Sequence, residues 1–256
     1  MKSELEAILR QAGRMELAYS DPRVMVKEGH ANVVTEADVA VQAYLLEALA
    51  KQYPQASFLA EEQEEHRLGA GLTFVIDPID GTANFMRRRR SSVICIGAVE
   101  RGEVAFSAIY DPYADELFHA VRGRGAWCND ERIHVADTPQ ESALIAVGSS
   151  PYDPEFVDVT ARTVAAVMRE FGDIRRSGSA ALDACHIAAG RCDGTFEWNL
   201  RPWDYCASSL IVDEAGGRSG NIMGGPPTFD GPIPFMCATD RIYDALQDML
   251  LRTLRG

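Results

Sequence analysis

The 256-residue chain has no uninterrupted apolar run of about 18 residues, so no membrane-spanning helix is expected. Residues 1–20 begin Met-Lys-Ser-Glu-Leu-Glu and lack the apolar core of a secretory signal, which points to a cytoplasmic protein. Basic residues are few beside acidic ones, 25 against 38, giving a net charge of −13. Nucleic acid is therefore an unlikely general partner, since such binding needs a basic face. Small anionic substrates stay open, because a bound metal can invert the local potential. The six cysteines (Cys95, Cys128, Cys185, Cys192, Cys206 and Cys237) form no C-x-x-C pair, which favours reduced thiols over a disulfide frame or a zinc site. None of the five histidines stands in an H-x-x-x-H or H-E-x-x-H spacing. Internal repeats, low-complexity tracts and Pro/Ser-rich linkers are also missing, so one compact unit over 1–256 is expected.

What is present is a succession of helix and strand signals. Leu5, Ile8, Leu9, Ala12 and Leu17 predict an amphipathic first helix. The polar stretch from Lys27 to Asn32 reads as a loop. Thr35 stands as N-cap of a second helix with Val41, Tyr44, Leu45 and Ala48 on one face, ended by Tyr53-Pro54. An apolar run at 57–60 ends in Glu61-Glu62, and 63–71 reads as a mobile polar loop. Residues 93–99 and 104–109, parted by Glu100-Arg101-Gly102-Glu103, predict a hairpin that 116–118 extends into an antiparallel meander. Then come a strand at 143–147, a helix at 155–171, a second helix opening near Ser179 and running to Gly190, and a strand within 193–198. A helix from Trp203 to Glu214 is stopped by Gly216-Gly217, and a strand at 235–238 precedes a last helix at 241–254.

The most informative stretch is Phe74-Val75-Ile76-Asp77-Pro78-Ile79-Asp80-Gly81-Thr82. It reads as a buried strand leaving into a tight corner, stiffened by Pro78, from which Asp77 and Asp80 emerge. Gly81 permits a turn or a close ligand approach, and Thr82 would N-cap a helix whose free N–H groups suit an anion. Hard oxygen ligands beside such a helix start are what Mg²⁺-assisted phosphate chemistry requires. Plainer readings stand beside this one. Asp-Pro and Asp-Gly form turns, Asp38 and Asp204 in first helical turns are favoured by the dipole, and Glu61 alone is a solvated acid. Small residues at 178–181 either admit a ligand or pack tightly. The joint occurrence of separated acids after strands and at helix starts is what forms a pattern.

On these residues the sequence resembles the inositol monophosphatase family of Mg²⁺-dependent phosphatases, from Lys27 through Gly217. The resemblance is carried by Asp-Pro-Ile-Asp-Gly-Thr at 77–82, by Trp203-Asp204 and by Glu214-Ala215-Gly216-Gly217. Gly178-Ser179-Ala180-Ala181-Leu182-Asp183 and Leu200-Arg201-Pro202-Trp203-Asp204 suggest its bacterial type. The resemblance implies an α/β (α+β) fold, a layered αβαβα sandwich, with a metal-binding half at about 1–140, an α/β half at 141–256 and a homodimeric assembly. It implies two to three Mg²⁺ ions: Glu61, Asp77 and the Ile79 carbonyl for the first, Asp77, Asp80 and Asp204 for the second, and a looser third near Glu61. Thr82, hydrogen-bonded to Asp38, would orient the attacking water, making Glu61, Thr82 and Asp38 the catalytic group. Gly81 and Thr82 would hold the phosphate. Gly178, Ser179, Ala180, Glu197 and Asp204 would face the rest of the substrate, and Lys27 would lie on a mobile loop over the metals.

Inositol 1-phosphate is the first substrate so implied. Histidinol phosphate, fructose 1,6-bisphosphate, NADP and adenosine 3′,5′-bisphosphate are alternatives. A role as an interaction partner of RNA or the transcription machinery is the alternative of another class. The rival phosphatase design built on Asp-x-Asp is disfavoured by the Asp-x-x-Asp spacing. Two departures stand out: Ala60 in place of a glycine before the paired glutamates, and the run Arg87–Arg90, which reads as a solvated loop or as a preference for a more anionic substrate or partner.

Overall fold

The computed structural model describes residues 2–20, 23–28, 32–63, 67–150 and 153–255. The first helix, α1 (Lys2–Ala18), buries Leu5, Ile8, Leu9 and Ala12 along one stripe. Strands β1 (Val24–Glu28) and β2 (Asn32–Thr35) pair antiparallel. Lys27, expected on a loop, therefore lies in a strand; cross-strand pairing supplied what local sequence did not. Residues 29–31 of that expected loop, and 64–66 of the one expected at 63–71, lie outside the described residues. Helix α2 (Glu36–Gln52) starts as expected: the Thr35 hydroxyl accepts from Asp38 N at 3.4 Å, and Asp38 Oδ2 accepts from Thr35 N at 2.8 Å, a capping box.

The meander follows. Strands β3 (Ser57–Ala60) and β4 (Thr73–Asp80) are parallel, and short helix α3 (Thr82–Met86) leads to β5 (Val93–Glu100) and β6 (Glu103–Asp111). Strands β7 (Glu116–Val121), β8 (Ala126–Cys128) and β9 (Glu131–Ile133) complete a seven-stranded sheet in sequence order from β3 to β9. The rest of the chain is β10 (Leu144–Val147), α4 (Val157–Glu170), β11 (Asp173–Arg175), α5 (Ala180–Ala188), β12 (Gly194–Leu200), α6 (Pro202–Glu214), β13 (Gly217–Asn221), β14 (Ile233–Thr239) and α7 (Asp240–Leu254). Its five-stranded sheet has the order β11-β10-β12-β14-β13. Strand β13, Gly-Arg-Ser-Gly-Asn, carries no strand signal of its own and forms because five of its residues pair with β14. Strand β11 is likewise fixed by its parallel neighbour β10.

Three apolar clusters fill the gaps between layers. Helices α1 and α2 cover the outer face of the seven-stranded sheet, α5 and α6 sit between the sheets, and α4 and α7 close the far face. The result is the αβαβα sandwich. Along β4, Phe74 and Ile76 face α1 and α2 while Val75 faces α5 and α6, the two-residue alternation of a strand buried on both sides. Each such fully buried side chain is worth about 1.5–3 kcal/mol. Among the described residues no helix is long and apolar enough to cross a membrane.

Helix α6 comes very close to the sheet at Gly97 of β5, where a Cβ would lie 2.6 Å from Cys206 Sγ and 3.3 Å from Ala207 N. That approach also sets the depth of Asp204, two residues before Cys206 on the same helix. Gly97→Ala should therefore cost about 1–3 kcal/mol by overpacking, read as a lower urea midpoint at unchanged slope. An unaltered midpoint would show that α6 is free to shift.

Candidate active site

The corner expected at Asp77–Asp80 is a β-bulge. In the ladder with β5, Asp77 pairs with Cys95 and Asp80 with Val93, so β4 advances three residues while β5 advances two. Pro78, which has no N–H for the ladder, sits in the bulge, where such a residue is tolerated. Ile79 turns away to pack with Ala37 and Phe85. The expected N-cap is displaced by one residue: Gly81, at φ 91°, is the cap of α3, and Thr82 is its first helical residue. A left-handed cap favours glycine because the position has no room or strain-free φ for a side chain. A Cβ there would also lie 2.9 Å from the Ser91 carbonyl oxygen.

Asp80 accepts from Ser179 Oγ at 2.5 Å and from Ala181 N at 2.8 Å, so it anchors the start of α5 as well as ending β4. Ser179 is the N-cap of that helix, its hydroxyl accepting from Leu182 N at 3.3 Å. Asp77 Oδ1 accepts from Ile79 N at 3.0 Å. Asp204, in the first turn of α6, accepts from Arg201 N at 2.7 Å. Glu61 follows β3, its N–H bonded to the Ile76 carbonyl at 3.2 Å. Three separate elements, the end of β3, β4 and α6, thus bring Glu61, Asp77, Asp80 and Asp204 into mutual electrostatic reach. Burial, then Glu61, Asp80, Asp204 and Asp38, push the Asp77 carboxyl well above the usual carboxylate range. Burial, then Asp80 and Glu61, do the same to Asp204. Burial also raises Asp80, opposed by the bonds from Ser179 and Ala181.

Asp38 is fully buried, and the helix-cap reading and the site reading of it both hold. Its Oδ2 bonds Thr35, while its Oδ1 lies 3.2 Å from the Thr82 hydroxyl. The same hydroxyl lies 3.1 Å from the Ile79 carbonyl, and its single hydrogen serves one of the two at a time. Glu197 of β12 accepts from Ser150 N at 2.6 Å, with its Oε2 2.4 Å from where a Gly148 Cβ would be. Burial raises the Glu197 carboxyl, opposed by Ser150 and by Arg176. Gly178, at φ 90°, leaves only 3.1 Å between a would-be Cβ and Asn84 Nδ2, and Ala180 opens α5 beside it.

Three participants were not singled out by sequence reasoning. Asn84 donates to the Ser91 carbonyl at 2.7 Å and to the Ser177 carbonyl at 3.1 Å, tying the two loops that border the acids. Burial raises the carboxyls of Asp80, Asp183 and Glu197, and the charge of Arg176 opposes that rise. Asp183, buried in α5, is raised to about 7 by burial, with Ser177 opposing. Nothing local marks Asn84; Arg176 and Asp183 flank the small-residue helix start, which was the available signal.

The donor set is carboxylate oxygen with a neighbouring carbonyl, chemistry that fits Mg²⁺ or another hard divalent cation and not the softer metals served by Cys and His. Among the described residues no three His, Cys, Asp or Glu side chains close on one point as a finished cage. The acids face one another as separate negative groups, the charge imbalance that a hard cation relieves.

A sequence model described as the inositol monophosphatase family matches residues 2–255, and the chain belongs to that family. Two kinds of name recur among the proteins it is similar to. It is 36% identical over 201 residues to the Nus factor SuhB of Escherichia coli K12, covering 78% of this chain and 75% of that protein. It is 32% identical over 226 residues to the inositol-1-monophosphatase of Bacillus subtilis, covering 86% and 85%. Among solved structures, the extragenic suppressor protein suhB of Bartonella henselae superposes with a TM-score of 0.90 at 34% identity, covering 97% of both chains. The inositol monophosphatase of Thermotoga maritima does so with a TM-score of 0.89 at 30% identity, covering 98% and 96%.

The raised carboxyls have a consequence for stability. An acid whose native pKa is raised binds its proton more tightly folded than unfolded. Its contribution is complete below the unfolded value, near ~4, and is lost as pH climbs towards the raised native one. In EDTA, Asp77→Asn keeps an acceptor for Ile79 N–H and removes the charge. The variant should match wild type near pH 4 and gain on it as pH rises to 7. The gain in thermal midpoint should be a few degrees, at about 2–4 °C per kcal/mol. A gap that stayed flat with pH would mean that the acids do not repel.

Proposed function

We propose that the chain is a Mg²⁺-dependent phosphate monoester hydrolase, with inositol 1-phosphate as its first substrate. The observation that carries the reading is the bulge that sets Asp77 and Asp80 on one side of β4, facing Asp204 and Glu61, with the Thr82–Asp38 pair beside them. Family membership supports it, as does the name of the Bacillus relative.

Glu61, Asp77, the Ile79 carbonyl, Asp80 and Asp204 would hold the metal. Mg²⁺, when bound, supplies positive charge that acidifies water and offsets the charge on the phosphate and on the leaving alkoxide. The protein's own part begins at Thr82. When its hydroxyl donates to Asp38 Oδ1, a lone pair is left to accept a hydrogen from the attacking water, fixing the direction of attack. Burial raises the Asp38 carboxyl, which favours its taking a proton passed through that hydroxyl. The backbone at Gly81 and Thr82 is assigned to the phosphate. Glu197, with Oε1 engaged by Ser150, presents its other oxygen to a hydroxyl of the polyol. The attack needs no side-chain nucleophile and no phospho-enzyme.

The name Nus factor, borne by several relatives, favours a second reading, a protein acting in RNA synthesis through contacts with other macromolecules. The net charge of −13 opposes broad nucleic-acid affinity.

Phosphate release from a panel of esters, with and without Mg²⁺, tests the first reading. Inositol 1-phosphate should be turned over only with the metal, Asp77→Asn should abolish release, and Thr82→Ala should lose about 10–100-fold. Strong turnover of a different ester would change the substrate and keep the chemistry. No metal-dependent release from any ester would overturn the proposal.

A further inference from the structure

Some arginines of this acidic chain hold a carboxylate: Arg175 bonds Asp173, Arg191 bonds Glu116, and Arg241 bonds Asp137. The run Arg87–Arg90 stands apart in setting four arginines side by side. All four are exposed, and among the described residues Arg87, Arg89 and Arg90 make no ion pair; Arg88 alone is engaged, donating to the Ser20 carbonyl. Three guanidinium groups with no carboxylate partner among the described residues, in a protein of net charge −13, are a local concentration of positive charge.

The loop that carries them is built. Arg88 and Arg90 have φ of 54° and 56°, a left-handed conformation that residues other than glycine rarely adopt. Their neighbours pin it: Arg88 N donates to the Phe85 carbonyl at 2.9 Å and Arg89 N to the Asn84 carbonyl at 2.9 Å. The loop leaves the site at α3 and returns to it at Ser91, whose carbonyl abuts Gly81 and accepts from Asn84. Asn84 in turn bonds Ser177, at the threshold of Gly178 and Ser179. The arginines therefore stand on a loop whose two ends are tied to Gly81 and, through Asn84, to the segment before Gly178, the residues assigned to the substrate.

We infer that Arg87, Arg89 and Arg90 form an anion-recognising rim, which favours phosphate monoesters that carry a second anionic group over esters of neutral polyols. The inference rests on the phosphatase reading and deepens it. A planar guanidinium donates in a fork that matches phosphate or carboxylate oxygens. Several such groups at the mouth of a cleft also raise the local concentration of an anionic ligand. The rim leaves the reacting ester to the acids and selects on what hangs from it.

The test compares inositol 1-phosphate with inositol 1,4-bisphosphate, in wild type and in Arg87→Gln/Arg89→Gln/Arg90→Gln. These positions are exposed and make no ion pair among the described residues, and the thermal midpoint should be unmoved. Wild type should prefer the bisphosphate in kcat/KM, with a preference that declines as salt is added. The variant should lose about tenfold of that preference, and its salt dependence should flatten, while turnover of inositol 1-phosphate is unchanged. Binding of the bisphosphate to the Mg²⁺-loaded protein, followed by calorimetry in a Thr82→Ala background that slows turnover, should weaken in step. If hydrolysis is intact and neither the preference nor the binding moves, the rim falls and the phosphatase reading stands. If no ester is hydrolysed but the variant still loses binding, the phosphatase reading falls and the rim stands.

Discussion

In a regular strand, residues three apart point to opposite faces, and Asp77 and Asp80 would be divided by the sheet. The extra residue in β4 removes that division. Both carboxylates then look toward α5 and α6, opposite Cys95 and Val93, which belong to the apolar cluster between the sheets. Asp80 can then cap α5, and α5 in turn orders Gly178 and Ser179. Pro78 fits the bulge because it has no donor to lose, and Ile79 fits because its side chain has an apolar niche with Ala37 and Phe85. The loop geometry around Gly81, the helix start and the returning Ser91 all follow from where that residue is inserted.

Bringing like charges together in this way is costly, since each acid is partly stripped of water and raises its neighbours' pKa. The apolar layers on both sides offset the cost. Phe74 and Ile76 press outward on α1 and α2, Val75 presses inward on α6, and Gly97 lets α6 come down close enough to deliver Asp204. The site is thus a locally unfavourable arrangement held by a globally favourable one, the trade found where function and stability compete for the same residues.

Most of this frame could be read from the chain. The amphipathic first helix, the Thr35 cap, the hairpin at Arg101-Gly102 and the Gly216 stop depend on local physics, and the structure has them where the periodicity put them. The acids were nameable because Asp-Pro-Ile-Asp-Gly-Thr and Trp203-Asp204 resemble motifs of the family. Elements that owe their existence to a partner were not legible. Strands β11 and β13 are made by pairing, Lys27 sits in a strand because β2 lies opposite, and the bulge is visible only in the register between β4 and β5. Asn84 and Arg176 act across the chain, at separations no local pattern records.

The two names borne by the relatives make different demands on this geometry. A protein that works only by contact needs a surface, and gains nothing from carboxylates that repel one another beneath it. Replacing any of them by a neutral isostere would relieve the repulsion and leave the outer faces alone. A buried Asp38 bonded to a Thr82 hydroxyl is equally unhelpful to a docking surface, and it is well placed to move a proton. Under the proposed hydrolase reading the arrangement is accounted for, because a hard cation and a phosphate are then part of the balance. Contact-based roles are compatible with it as additions on the outer faces, since nothing in the layered frame or the bulge has to change to accommodate them.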